Sequence, residues 1–482
     1  MCILKRPKVN GVRVLATGLR WVVSACVLGG LLGPTARADD DCIPLWSALA
    51  GPNAVGLSGG SFAKVGSLTV FDDGTGPALY AGGSFITAGG VTVNNIARWD
   101  GHEWSALVSP ERVGIDDEVE ALTVFDDGSG PALYVGGWFL VYLERWDGEE
   151  WSVPSNTPYL AVNGEVFALK VYDDGSGPSL YAGGSFFAAG GRVANGIASW
   201  NGSEWSVLAG PSGVGLQYRF GGLAAVFDMA GFDDGTGPAL YVAGEFEIAG
   251  GVPADGIARW DGHAWSDLES SGVMRAIAIY CLAAFDDGSG PALYAGGYFR
   301  TAGGVTVIGV ARWDGHDWSL VGGEVGSVRA LTVFDDGSGP ALYAGGSFFT
   351  AGGVTVNGVA RWDGHDWSAL AGPDGVGVDG PTFPGVYALK AFDDGSGPAL
   401  YAGGRFTTAG GVTVNRIARW QSCATPPCVV DFNNDGVLDI FDVQIFLGLY
   451  ASGSYRADFT EDGVLNFFDV QRFLNLFATG CP

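Results

Sequence analysis

Six pairs of tryptophans five residues apart punctuate this chain, and a seventh pair is divided between the two ends of the same region. The continuous pairs are Trp99/Trp104, Trp146/Trp151, Trp200/Trp205, Trp260/Trp265, Trp313/Trp318 and Trp362/Trp367. Trp420 has no partner five residues later, and Trp46, in Leu-Trp-Ser-Ala-Leu, has none five residues earlier. Placing Trp46 after Trp420 completes the seventh pair. A chain whose first strand completes its last repeat is expected to close into a ring.

The fullest repeat runs from Val328 to Leu370, and the copies begin their Asp-Asp-Gly turns at Asp72, Asp126, Asp173, Asp233, Asp286, Asp335 and Asp393. A period of roughly 47 to 60 residues suits propeller blades rather than short solenoid repeats. Each copy holds four runs rich in Val, Leu, Phe, Tyr and Trp, bounded by Gly, Asp and Pro. In the sixth copy they are Ala330–Phe334, Ala341–Phe348, Val356–Trp362 and Asp366–Leu370. Asp335-Asp336-Gly337-Ser338-Gly339-Pro340 reads as a hairpin connection. Gly supplies positive φ, Asp bonds the local backbone, and Pro fixes where the next strand begins. No window before about residue 438 sustains a helical period. The expected fold is all-β, a seven-bladed β-propeller of four-stranded antiparallel sheets. Leu45–Leu49 closes it by covering an edge that would otherwise face solvent.

The Gly-Gly doublet in Tyr80-Ala81-Gly82-Gly83, with the Trp downstream, resembles the kelch class of propeller. The fuller pattern Gly-Gly-x-Phe, Ala-Gly-Gly, Ile-Ala-Arg-Trp-Asp-Gly and Trp is similar to the propeller repeats of the fungal cortical polarity-marker family and of large bacterial exported proteins. The resemblance covers residues 43–423. It implies a propeller in an extracytoplasmic setting, and no reaction.

Residues 1–38 read as a secretory signal peptide. Lys5, Arg6, Lys8, Arg13 and Arg20 precede the apolar stretch Trp21–Gly33, and Ala36-Arg37-Ala38 is a small-x-small cleavage site. The apolar stretch is too short to span a bilayer comfortably, so no membrane span is expected in the mature chain. The protein is expected to be exported, to the exterior, the cell surface or the periplasm. The chain carries 25 Lys and Arg against 52 Asp and Glu, a formal charge of −27. That balance disfavours nucleic acid and anionic membrane as partners and favours divalent cations. Overlaying the repeats puts Cys42 and Cys423 in one tight turn, where a disulfide would staple the ring. In the simple chain-entropy account it would contribute on the order of 4–5 kcal/mol. Cys428 and Cys481 form a second expected pair, and Cys281 is left over as a buried thiol.

The propeller is expected over residues 39–423, a short linker over 424–427, and a separate module over 428–482. That module contains two similar segments, Asp431–Asp442 and Asp458–Asp469. Each places oxygen donors at loop positions 1, 3, 5, 9 and 12 and Gly at 6, the spacing of an EF-hand-like calcium loop. The first set is Asp431, Asn433, Asp435, the Val437 carbonyl, Asp439 and Asp442; the second is Asp458, Thr460, Asp462, the Val464 carbonyl, Asn466 and Asp469. Thr460 is neutral, so the second Ca²⁺ site is expected to be the weaker. A helix should follow each loop, with Val443, Phe446, Leu447 and Tyr450 on one face of the first. Val470, Phe473, Leu474 and Phe477 match them on the second. The duplicated loop and helix resemble a type I dockerin, which implies a small α-helical domain that binds a cohesin-like protein or a cell-surface scaffold. The docking surface then falls on Ile440, Phe441, Phe467 and Phe468, at loop positions 10 and 11, where the best-known members often carry Ser-Thr.

His102, His263, His316 and His365 all stand three residues after the first Trp of a pair, and copied residues of this kind read as turn residues rather than catalysts. The Asp-Asp-Gly repeats lack the spacing of a full calcium loop and read as turns. The Trp pairs read as packing. Function is expected where copies differ, at the end carrying the Ala-Gly-Gly connections and the long interblade loops. Arg112, Tyr159, Tyr218 and Arg219 are singular there, and blade two replaces its Ala-Gly-Gly segment with Trp138 and Tyr142. A glycan or a protein is the expected ligand of a non-catalytic propeller. The alternative, a polysaccharide-degrading enzyme delivered by the dockerin, needs two carboxylates near the axis. The sequence offers no evident set, only scattered acids such as Asp116, Asp117 and Glu118.

Overall fold

The computed structural model describes residues 45–422 apart from 52, 156–160, 219–221, 223, 269–275, 303 and 381–382. Towards the C-terminus it describes residues 438, 440–451, 457, 459 and 467–479. Seven four-stranded antiparallel sheets make up the first part. We number them by their first strands, which are Lys64–Asp72, Val119–Asp126, Glu165–Asp173, Ala225–Asp233, Ala276–Asp286, Ser327–Asp335 and Gly385–Asp393. Each first strand packs against the next in this order, and that of sheet seven packs against that of sheet one. They therefore surround a common central space.

The fourth strand of sheet seven comes from the other end of the chain. Leu45–Ser47 pairs antiparallel with Ile417–Gln421, and Trp46 lies opposite Trp420. The indole of Trp46 donates to the Leu370 carbonyl at 3.1 Å. The same kind of bond ties Trp104 to Leu49, Trp205 to Pro154 and Trp367 to Val321. Each links a sheet to chain belonging to the preceding one. Ring centroids within the pairs lie close, 5.2 Å for Trp99/Trp104 and 5.4 Å for Trp362/Trp367.

The Asp-Asp-Gly turns consume both of their carboxylates. In sheet six, Asp335 Oδ1 accepts from the Gly337 and Gly339 amides. Asp336 accepts from Ser338 and, at 3.0 Å, from the Tyr343 hydroxyl, while Arg361 approaches to 3.3 Å. Local backbone and hydroxyl donors, with the Arg361 guanidinium, thus satisfy the turn's carboxylates. The four histidines lie in the Trp-Asp-Gly turns, where for example the His102 amide donates to Asp100.

The Ala-Gly-Gly segments are more than connections. In sheet six Thr350–Ala351 pairs with Val354–Thr355, and Gly352 and Gly353 between them have φ of +56° and +86°. The expected run Val356–Trp362 is shortened at its start, and the third strand begins at Val359, after the hairpin. Two-residue strands are too short to show a period, so the sequence conceals this hairpin.

In the C-terminal part, helix α1 spans Ile440–Ala451 and helix α2 spans Phe467–Thr479. Phe446 and Phe473, at equivalent positions of the two segments, stack with centroids 3.9 Å apart and planes 6° from parallel. Val443, Tyr450, Val470 and Phe477 pack around them. Leu447 and Leu474 depart from the expected apolar face: they are about half exposed. The stacked rings fill the space between the helices, and the neighbouring leucines turn outward.

Candidate functional site

Every first strand carries a β-bulge at one register position. In sheet one, Val65 and Ser67 pair with consecutive residues of the neighbouring strand, which leaves Gly66 without an opposite number. The same irregularity isolates Phe167, Phe227, Tyr280, Arg329 and Tyr387. In sheet two it isolates Glu120. A bulge re-aims the extra side chain away from the alternation of the strand. Here all seven bulged residues line one pocket of about 700 Å³, together with Phe62, Lys64, Ser84, Glu118 and Arg405. The repeat is closely copied elsewhere, yet this position reads Gly, Glu, Phe, Phe, Tyr, Arg, Tyr around the ring.

These side chains touch in sequence around the opening. Phe167 and Phe227 have centroids 5.8 Å apart, and Phe227 and Tyr280 5.4 Å apart. The Arg329 guanidinium lies 4.2 Å from the centre of the Tyr280 ring and 5.9 Å from that of Tyr387. Lys64 Nζ lies 6.0 Å from the Tyr387 ring and contacts Glu118 at 2.6 Å and Glu120 at 2.9 Å. Aromatic faces attract cations and pack well against C–H-rich surfaces. Burial pushes the Glu120 carboxyl above its usual range, although Lys64 pulls the other way. Burial works against the charge of Lys64 too, but the two glutamates outweigh it and hold its pKa above the ordinary value.

Deeper along the same strands lies a second divergent position, opposite the tyrosine of each second strand. Thr69, Thr123 and Thr332 occupy it in three sheets, and Lys170 and Lys390 in sheets three and seven. Burial depresses the Lys390 pKa, and the charge of Lys170 depresses it further. Sheets three and seven are not neighbours, so this repulsion acts across the central space. Asp228, one residue after a bulge, accepts from the Leu282 amide of the next sheet at 2.7 Å. Burial raises its pKa to about 6, against the pull of its backbone donors and of Lys170. Cys281 lies beside it as a free, buried thiol whose pKa burial raises.

A smaller cavity of about 410 Å³ belongs to sheet two. Elsewhere a hairpin glycine covers the second Trp of the pair; a Cβ at Gly410 would lie 2.4 Å from Trp46. Sheet two lacks that hairpin; Trp151 is only partly buried, and its buried indole N–H has no acceptor among the described residues. Arg112 fills the gap, 5.1 Å from the Trp151 ring and paired with the buried Glu144.

The singular residues expected to form a binding face are not gathered at one place. Arg112 is in the sheet-two cavity. Trp138 is exposed, and Tyr142 closes a tight turn with φ of 60°. Tyr218 is held against Glu245, and its hydroxyl pKa is raised by burial and by that bond. Tyr159 and Arg219 lie outside the described residues. The axial residues Tyr280, Arg329 and Tyr387 are absent from that expected set. Their signal lies in the sequence as the variable second letter of Ile279-Tyr280-Cys281-Leu282, Val328-Arg329-Ala330-Leu331 and Val386-Tyr387-Ala388-Leu389. Sequence reading also offered no carboxylate pair near the axis, whereas Glu118 and Glu120 form one on Lys64. The exposed aromatic residues Phe62, Trp138, Phe187, Tyr298, Phe349 and Phe383 all belong to the end where the central pocket opens.

Of the calcium-loop donors only Asp442 and Asp469 are described; both are fully buried in the first turns of α1 and α2. Asp431, Asn433, Asp435, Val437, Asp439, Asp458, Thr460, Asp462, Val464 and Asn466 lie outside the described residues, as do Cys42, Cys423, Cys428 and Cys481. Ile440 is exposed. Among the described residues no helix is long and apolar enough to cross a membrane.

No protein-family model matches the chain, and no curated protein sequence matches it. Among solved structures it is similar to the extracellular domain of a hybrid two-component system from B. thetaiotaomicron, at 12% identity and a TM-score of 0.45. That match covers 78% of this chain and 39% of the other, so the chain spans about two fifths of that neighbour's length. It is also similar to the GH74 enzyme of Niastella koreensis, at 14% identity and a TM-score of 0.41, over 75% of this chain and 59% of the other. At these levels neither neighbour's activity passes to this chain.

Proposed function

We infer that the protein is an exported seven-bladed β-propeller that binds a glycan at the mouth of its axial channel. We further infer that a calcium-stabilised, dockerin-like module attaches it to a cohesin-like protein or a cell-surface scaffold. The observation that carries the first part is the convergence of all seven bulged positions on one pocket. The pyranose ring has apolar C–H faces and a polar rim. Phe167, Phe227, Tyr280 and Tyr387 offer aromatic faces for the former, and Arg329, Lys64, Glu118 and Glu120 offer donors and acceptors for the latter.

For the second part, the donor set of both C-terminal segments is entirely hard oxygen, which fits calcium. Asp431, Asn433, Asp435, Asp439 and Asp442 with the Val437 carbonyl would hold the first ion. Asp458, Thr460, Asp462, Asn466 and Asp469 with the Val464 carbonyl would hold the second. Asp442 and Asp469, the position-12 donors of the two loops, lie buried at equivalent helix starts, which is consistent with this. The apolar docking positions around Ile440 suit a partner with an apolar recess.

Polysaccharide cleavage is a second reading, drawn from Glu118 and Glu120 in the central pocket. Both carboxylates lean on one ammonium from the same side, whereas hydrolysis needs two carboxyl groups flanking the scissile bond. Binding is the reading the geometry supports better. Affinity electrophoresis of the full chain through polysaccharide gels tests it. Retardation that is lost in Tyr280→Ala supports glycan binding; migration unaffected by every polysaccharide sinks it. Release of reducing ends, abolished in Glu120→Gln, would favour the enzyme.

A further inference from the structure

The charge inside the ring runs against the charge of the molecule. The chain is strongly acidic, at −27. The copied arginines are neutralised at the opposite end, as with Arg98 on Asp73 at 3.3 Å and Arg419 on Asp394 at 3.4 Å. The cations of the axis are held differently. Arg329 rests on aromatic rings and has no carboxylate partner among the described residues, and the same is true of Arg405, over Phe62 at 5.2 Å. Lys170 and Lys390 hold one register position of the first strands of sheets three and seven, on opposite sides of the ring, where three other sheets place Thr. Lys170 is exposed and Lys390 partly buried; their like charges repel, and nothing in the packing calls for them, since Thr69, Thr123 and Thr332 fill the same position. A low-dielectric, cation-lined cleft focuses potential on an anion.

We propose that the ligand of the axial pocket is an anionic saccharide, whose carboxylate or sulfate group passes the aromatic rim and is clamped between Lys170 and Lys390. This rests on the glycan reading above and names the chemical class of the ligand. The aromatic rim takes the ring of the sugar, Arg329 and Arg405 draw the acid group inward, and the two lysines share it. Asp228, on the strand next to Lys170, leaves the pair of ammonium groups with a net positive balance. Nucleic acid meets the same cations only at the mouth, and the acidic exterior repels a long polyanion of that charge density.

The test uses the full chain and matched gels: neutral hydroxyethylcellulose and galactomannan against carboxymethylcellulose, polygalacturonate and dextran sulfate. Inorganic sulfate and single-stranded DNA are titrated alongside. The variant is Lys170→Thr with Lys390→Thr, the residue other sheets already carry there, so its melting temperature should stay level or rise. The expected result is tighter binding of at least one acidic polysaccharide than of its neutral counterparts, by about tenfold or more at low salt, with the preference erased in the variant. Equal binding of neutral and acidic polymers, still dependent on Tyr280, overturns the anionic class and leaves glycan binding intact. An acidic preference that survives in the variant overturns the lysine clamp. Retention of inorganic sulfate or DNA but of no polysaccharide overturns both this proposal and the glycan reading.

Discussion

Trp46 lies directly opposite Trp420, in a ladder that joins the first described strand of the chain to the last strand of the ring. Trp46 is 2% exposed and its indole N–H reaches the Leu370 carbonyl in the preceding sheet. The residue therefore closes one sheet and ties it to the next.

Trp46→Ala should destabilise the ring by about 3–5 kcal/mol, as loss of a buried large aromatic does. The cost should match that of Trp367→Ala, whose indole is bonded in the same way. Urea unfolding followed by tryptophan fluorescence measures both. A Trp46 variant as stable as the parent would mean the N-terminal strand is dispensable.

Acid should unfold the ring through its turns. In Asp336, burial opposes ionisation, but bonds from Ser338 and Tyr343 and the nearby Arg361 outweigh it and hold the pKa below the ordinary 3.8. Asp73, Asp127, Asp174, Asp234, Asp287 and Asp394 are shifted the same way. A depressed carboxylate stabilises the fold above its unfolded pKa and ceases to as pH falls through the folded one. The melting temperature should hold down to about pH 4 and then drop steeply. Asp336→Asn should shallow that drop at a cost of about 1–3 kcal/mol near neutrality.

Asp228 behaves oppositely. Its folded pKa of about 6 is above the unfolded value, so the fold favours its protonated form. Its contribution is best at low pH and weakens as pH rises from the unfolded pKa towards about 6. Asn keeps an acceptor for the Leu282 amide without the charge. Asp228→Asn should therefore be more stable than the parent at pH 7, and the gap should close by pH 4. Thermal melts across that range decide it; a less stable variant at pH 7 would refute the assignment.

Chelation should separate the two parts of the chain. Removing calcium from the full-length protein should abolish a helical melting transition while the tryptophan-monitored transition of the ring stays in place. Asp442→Ala should lower calcium affinity more than Asp469→Ala, since the second loop has Thr460 in place of an acid or amide. Calorimetric titration of each variant reads this directly, and equal losses would sink the ranking.

The architecture was legible because it is written redundantly. Seven copies of Asp-Asp-Gly and of the Trp pair state the turns and their order, and the displaced Trp46 states the closure. The central pocket was legible in principle and missed in practice. Val-Arg-Ala-Leu at 328–331 reads as an ordinary strand, with Arg329 on one of two faces, and no residue marks the bulge that turns it inward. The long loops differ most visibly between copies, yet their singular residues Arg112 and Tyr218 serve separate local contacts.

That bulge has a consequence for how such a protein can change. A residue excluded from the ladder, whose side chain meets its counterparts around the opening, can be exchanged without disturbing the strand pairing. The ring thus carries seven letters that can be rewritten one at a time over an unaltered frame. Gly66, with no side chain to offer, is the blank among them, and it is also tight, since a Cβ there would meet the Val119 carbonyl at 3.2 Å and the Glu120 carboxylate at 3.1 Å.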